Sequence, residues 1–384
     1  MSDHITSGRS ALYRAASESL HRDRSGKERQ EAAYRMLWAC GLGDLIRRDF
    51  YGLFEFPPGA RGDLLDAGCG GGIEAANLRR LAPGLRISGV DVSAVALSAA
   101  VARPDKGSAE FYQASLERLP FGDGVFDYIA SHEVIEHVED PGLVLRELCR
   151  VLKPGGVCVI ATPNGASWWI EHLRQRVMRL FGRRGAPVGA DHTRPPSFWR
   201  REFVRAGFAV ERQIFDGAAL EFQMFAAPSA WMPVLSRVFE PLRDLPPVNL
   251  LLCDRVKYRL RKPGAGAATI AQSAASCCPV CHAGLADGED GIVCGNGHRF
   301  ARNGLGLVDF SALAPETAPA PASEPTAAPP GMMPAIEEPP GRRGWVRRLR
   351  RAVLFGFSLF YAAFLLALAP LGLILGRFRQ PFRP

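Results

Sequence analysis

Three groups of residues in this 384-residue chain have the types and spacing to do chemistry. The first is Asp63-Leu-Leu-Asp-Ala-Gly-Cys-Gly-Gly-Gly72, which reads as a buried strand ending in a glycine loop at the mouth of a helix. Without Cβ atoms in the way, the N–H groups of such a loop approach a bound cofactor closely. A dinucleotide would ask for G-x-G-x-x-G, and its third glycine would fall where Ile73 stands. Further on, Ile87-Ser-Gly-Val-Asp91 reads as a second strand ending in a carboxylate, about twenty residues past the glycines. An acid there can accept both hydroxyls of a ribose, one on each oxygen. The plain structural alternative for Asp91 is a helix N-cap, a role that Ser93 can also fill.

The second group is Glu133-Val-Ile-Glu136-His137, just past the fourth predicted strand. If a helix starts there, Glu133 lies one turn before Glu136 and His137, and the three can converge. His137 is then a general base, or the trio holds Mg2+ or another divalent ion that lowers an acceptor's pKa. The alternative is that both acids sit on a helix dipole and His137 merely packs. His192 is a possible fourth contributor from a substrate-side loop.

The third group is Cys278-Pro-Val-Cys281 followed by Cys294-Gly-Asn-Gly-His298. Two knuckles of thiol and imidazole ligands at this spacing suit a tetrahedral structural Zn2+. A module this small has little core of its own, so metal binding would supply its stability. The remaining cysteines, Cys40, Cys69, Cys149, Cys158 and Cys253, fall in predicted core elements and read as buried thiols of a reducing compartment; Cys277 is an alternative ligand.

The elements that must position these groups follow from hydrophobic patterning. Helical spacing covers 31–52 within an N-terminal region, 1–60. From 61 to 262 short apolar runs alternate with helical patterns, the signature of an α/β sheet. Strands are predicted at 63–67, 86–91, 109–113, 126–131, 156–162, 208–215 and 249–259. Helices are predicted at 73–81, 94–102, 141–151 and 196–206. A Gly/Ala/Ser-rich linker (263–276) leads to the Cys/His module at 277–310, and a Pro/Ala-rich stretch (311–341) cannot bury a core.

Asp66-x-Gly68-x-Gly70-x-Gly72 resembles the first motif of class I S-adenosylmethionine (SAM) methyltransferases. The likeness extends through Gln113-Ala-Ser-Leu-Glu-Arg-Leu-Pro-Phe121, Gly122-Asp-Gly-Val-Phe-Asp127, His132-Glu133-Val-Ile-Glu136-His137 and Arg150-Val-Leu-Lys-Pro-Gly-Gly156 to Thr162-Pro-Asn164. Over about 63–164 the chain is similar to the methyltransferase type 11 family, which includes the ubiquinone-biosynthesis O-methyltransferases. The resemblance implies a Rossmann-like seven-stranded α/β sheet and SAM bound by Asp66, Gly68, Cys69, Gly70, Asp91, Val92, Ser115, Leu116 and Ser131. The family often has an acid where Ser115 stands, meeting the adenine amino group, and a hydroxyl accepts that bond more weakly. The E-x-x-E-H pattern carries a metal in some relatives. The Cys/His module, with Gly297-His298-Arg-Phe300, resembles the zinc finger of bacterial rRNA guanine methyltransferases, where it precedes rather than follows the catalytic domain.

The last segment, 342–384, is expected to be a membrane anchor. Arg342, Arg343, Arg347, Arg348, Arg350 and Arg351 precede an uncharged run at 352–376, long enough to cross a bilayer of about 30 Å. Fewer arginines follow it, which places the enzyme on the cytoplasmic side of a single-pass or re-entrant segment. The N-terminus is polar and has no signal-peptide pattern. Net charge is +8, and its concentration beside the apolar run favours a lipid surface over nucleic acid. The expected activity is a membrane-anchored SAM-dependent methyltransferase, acting on oxygen of a lipid-soluble or lipid-linked small molecule. The competing readings are an RNA methyltransferase that contacts RNA through the zinc module, and a non-catalytic SAM-binding scaffold.

Overall fold

A computed structural model describes residues 50–167, 194–216, 253, 255–264, 277–288 and 291–311. Seven strands form one sheet in the order β3-β2-β1-β4-β5-β7-β6. They are β1 (Gly62–Ala67), β2 (Leu85–Asp91), β3 (Glu110–Gln113), β4 (Phe126–His132), β5 (Leu152–Pro163), β6 (Ala209–Asp216) and β7 (Arg255–Arg261). β1 to β5 are parallel to one another, while β7 inserts antiparallel between β5 and β6. The order reverses at β1, whose neighbours are β2 and β4. A reversal of this kind opens a crevice beyond the carboxyl ends of the strands.

Side chains alternate across the sheet, so Leu64 joins one apolar cluster and Leu65 the other. Helices α1 (Ile73–Leu81) and α2 (Ala94–Val101) cover the Leu64 side through Ala75, Leu78, Leu97 and Ala100. Helices α3 (Pro141–Val151) and α4 (Pro196–Arg205) cover the Leu65 side through Val144, Leu148, Trp199 and Phe203. The helix starts follow capping chemistry: Ser93 Oγ accepts from Ala96 N–H, and Asp140 Oδ1 accepts from Leu143 N–H ahead of Pro141. All seven predicted strands and the four predicted helices are present. The seventh strand is described over Arg255–Arg261, and 249–252 lie outside the described residues. Of the predicted 31–52 helix only its end is described: Phe50 leads into a 3-10 turn at Tyr51–Phe54.

The Cys/His module forms a second sheet, β10-β9-β8, from β8 (Leu285–Gly288), β9 (Gly291–Cys294) and β10 (Arg299–Ala301). Among the described residues no helix is long and apolar enough to cross a membrane. The 352–376 run and His192 lie outside the described residues.

Phe126 anchors the middle of the sheet: it is fully buried, edge-on to Phe121 at 4.9 Å between centroids. Phe126→Ala is expected to cost roughly 3–5 kcal/mol, read as a lower urea midpoint at unchanged slope.

Candidate cofactor and catalytic site

The glycine loop is fastened to the end of β2. Gly68 and Cys69 N–H both donate to Val90 O, at 2.8 and 2.9 Å, and Gly70 N–H donates to Asp91 Oδ2 at 2.9 Å. Asp91 Oδ1 accepts from Ser93 N–H at 2.8 Å. Because Ser93 supplies the cap of α2, the carboxylate at Asp91 is left to face the loop. Gly68, Gly70 and Gly72 all take positive φ (79°, 49° and 74°), a region that side chains with a Cβ avoid. At Gly68 space is also short: a Cβ there would lie 2.5 Å from the Val134 side chain. The Phe111 ring and Cys69 Sγ fill the hollow left by Gly89, 2.6 and 3.0 Å from where that residue's Cβ would be.

Among the described residues, the buried polar atoms at this end of the sheet without a hydrogen-bond partner include Asp66 Oδ2 and Ser131 Oγ. Burial, and next the charge of Glu74, hold the Asp66 carboxyl well above its ordinary range. A cationic N–H donor from a bound ligand would relieve both effects. An orphaned buried acid beside a cradle that a Cβ would fill is what an amino acid–nucleoside ligand such as SAM requires. The adenine side is less regular. Ser115 Oγ already accepts from Glu117 N–H at 3.2 Å, and Leu116 is buried beside it. Val92 O receives Gln113 Nε2 at 3.4 Å.

Residues 133–137 form a turn, not the start of a helix, and Glu133 leaves β4 in the left-handed region (φ 56°). The turn leads Glu133 toward Arg255 of β7, 3.8 Å from its carboxylate. Glu136 is buried, with Thr162 Oγ1 donating to Oε2 at 3.1 Å and no hydrogen-bond partner on Oε1. His137 Nε2 stands 4.0 Å from that Oε1, and its side chain is about one-third exposed. The ligand atoms of the three do not converge as a metal shell would: among the described residues the one group within 4.8 Å of one another is Cys278, Cys281, Cys294 and His298.

The four module residues have the separations of a tetrahedral site. Cys281 and Cys294 sulfurs lie 3.7 Å apart, and His298 Nδ1 lies 3.6, 3.4 and 3.3 Å from Cys278, Cys281 and Cys294. Ligands about 2.3 Å (sulfur) and about 2.0 Å (nitrogen) from one Zn2+ would stand about 3.8 and 3.5 Å apart. The donors fit zinc, with Cys277 left outside the shell.

Some participants were not legible in sequence. Tyr51 O–H donates to Glu74 and Asn77 Nδ2 donates to Tyr51 at 3.0 Å, forming a polar cluster against Asp66. Phe50 sits edge-on to His132 at 4.9 Å. Arg255 and Lys257 arrive from β7, far along the chain, and no local motif announces them.

Residues 65–160 match the methyltransferase domain family. A ubiquinone biosynthesis O-methyltransferase of Caulobacter vibrioides is 41% identical over 104 residues, 26% of this chain and 40% of the relative. One from Azorhizobium caulinodans is 29% identical over 182 residues, 47% of this chain and 63% of the relative. A solved geranyl diphosphate C-methyltransferase from Streptomyces coelicolor is 18% identical with a TM-score of 0.41, covering 58% of this chain and 79% of its own. The chain thus spans about two fifths of the length of the first of these relatives. Sheet order, glycine loop, terminal acid of β2 and family match agree, and the chain carries a class I SAM-dependent methyltransferase domain.

Proposed function

We propose that the protein transfers the methyl group of SAM to an oxygen of a lipid-soluble or lipid-linked small molecule, from a position anchored at the membrane. The observation that carries the cofactor half is the tie of Gly70 N–H to Asp91, with the unpartnered Asp66 Oδ2 beside it. Asp66, Gly68, Cys69 and Gly70 would hold the amino-acid portion, Asp91 and Val92 the ribose, and Ser115 and Leu116 the adenine, with Ser131 at the floor. SAM supplies an electrophilic methyl group. The protein's own work is to hold an acceptor in line, keep water out and take the acceptor's proton. His137 would take it, a role supported by its partial exposure and its closeness to the buried end of Glu136. The named O-methyltransferase relatives support oxygen as the acceptor. The arginine-flanked run at 352–376 supports a membrane location, because a tether raises the local concentration of lipid-soluble acceptors. Zn2+ in the Cys3His cluster is proposed to have a structural part.

Full-length protein incubated with methyl-labelled SAM and a total membrane extract should place label in the organic phase. Removing 342–384 should lower that labelling and release the protein from the membrane fraction. Label found in RNA instead would favour the zinc-module reading, and a wholly soluble full-length protein would sink the anchor.

Binding and turnover separate by mutation. Asp91→Ala should weaken SAM binding on the order of 10- to 100-fold, the loss of charge-assisted hydrogen bonds. His137→Ala should leave SAM affinity within roughly twofold and lower kcat by roughly 10²–10⁴-fold. Calorimetric titration and single-turnover rates check the pair, and full turnover in His137→Ala would exclude it as the base.

Glu136 gives a pH signature. Burial, with the charge of Glu133 next, pushes its carboxyl up to about 8 from an ordinary 4.5. Between these values the folded protein holds a proton that the unfolded chain releases, so stability falls as pH rises through that window and levels off above it. Glu136→Gln should lack this contribution, so its Tm should gain on the wild type from pH 5 to pH 8. Parallel Tm curves for the two proteins would show that the acid is not kept protonated.

A further inference from the structure

The Cys3His module is seated on the open edge of the large sheet, beside the loop that the SAM reading assigns to adenine. β3 is the edge strand. After β10 the chain returns to it: Asp309 pairs in parallel with Gln113, and Phe310 N–H donates to Gln113 O at 2.7 Å. At the far end of the loop, Cys277 N–H donates to Pro120 O at 2.9 Å. These two main-chain bonds bracket residues 114–119, which include Ser115 and Leu116. Each bond also leans on one metal knuckle. Cys277 adjoins Cys278, and the strand that returns through Asp309 is held by Asp309 N–H donating to Ala301 O in β10, which begins right after His298.

Gln113 joins the two parts through its side chain. It is buried, Asn303 Nδ2 donates to its Oε1 at 2.7 Å, and its Nε2 reaches Val92 O, one residue past Asp91. Its successor Ala114 donates N–H to Asp91 O at 3.1 Å. Apolar contact runs the same way, since Cys278, Cys294, Phe300, Val308 and Phe310 share one cluster with Leu116, Leu119 and Phe121.

We propose that the module is a built-in clamp: with its four ligands tied by a metal ion, it holds the 114–119 loop and the end of β2 in the shape that receives the nucleoside of SAM. Gln113 and Asn303 are positioning residues in this arrangement. The inference rests on the SAM reading and on metal occupying the cluster. A strand added to an open edge brings backbone hydrogen bonds that order the edge, and a small metal module loosens when its ion is withdrawn. SAM affinity is therefore coupled to the metal, although no metal ligand would touch SAM.

The test uses full-length protein. SAM is titrated calorimetrically before chelation, after chelation with the loss of zinc measured, and after zinc is restored. Asn303→Asp provides a milder probe, since it keeps the acceptor oxygen that Leu305 and Leu307 N–H use and removes the donor to Gln113. Chelation should weaken SAM binding at least roughly tenfold, reversibly. Asn303→Asp should weaken it roughly fivefold, the loss of one buried hydrogen bond, and raise the KM for SAM with little change in kcat. Hydrogen exchange should accelerate at amides 114–119 while those of β1 stay protected. An Asn303→Asp protein with SAM affinity within roughly twofold of wild type overturns the clamp, even if the chelated protein aggregates; so does exchange that rises equally across the sheet. If the wild-type protein binds no SAM at all, the cofactor reading fails; if it binds SAM and neither treatment matters, only the clamp fails.

Discussion

The site depends on one local constraint, the fastening of the loop after β1 onto the end of β2. Three successive N–H groups, from Gly68, Cys69 and Gly70, are committed to Val90 O and the Asp91 carboxylate. That arrangement needs positive φ at Gly68 and Gly70 and leaves no space for a Cβ at Gly68, because Val134 closes over it. Two consequences follow. The acid at the end of β2 is oriented before any ligand arrives, so little is lost in ordering it. The turn after β4, to which Val134 belongs, is packed directly on the glycine loop.

The same end of the sheet concentrates carboxyl groups that the interior does not solvate. Asp66, Glu74 and Glu136 are all pushed upward in pKa, each first of all by burial. Buried, upward-shifted acids of this kind cost stability and gather most often at functional sites. His137 stands at its solvent-facing rim. Arg255 and Lys257 of the antiparallel strand β7 bring positive charge to the same neighbourhood.

Local chemistry carried much of this into the sequence. The glycine spacing, the acid closing β2 and the capping residues Ser93 and Asp140 are all short-range signals, and the strands and helices they delimit stand within a few residues of their expected places. The Cys/His knuckles are legible for the same reason, since tetrahedral geometry constrains ligand spacing along the chain. The i, i+3 and i+4 spacing of Glu133, Glu136 and His137 is compatible with a helix start, but the positive φ at Glu133 turns the chain off β4 at once, a backbone choice that spacing does not record.

By itself, then, the sequence determined the cofactor class, the α/β sheet and the Cys3His cluster, because each rests on residues close together in the chain. Tertiary structure alone decided who meets whom across it. Arg255 faces Glu133 because β7 inserts next to β5; Tyr51 meets Glu74 because the N-terminal turn lies against α1. The module reads as a separate bead in sequence, yet Asp309 pairs with Gln113 because β3 is the sheet's open edge and its unpaired backbone groups need partners. Contacts of that kind depend on strand order, which no local pattern records.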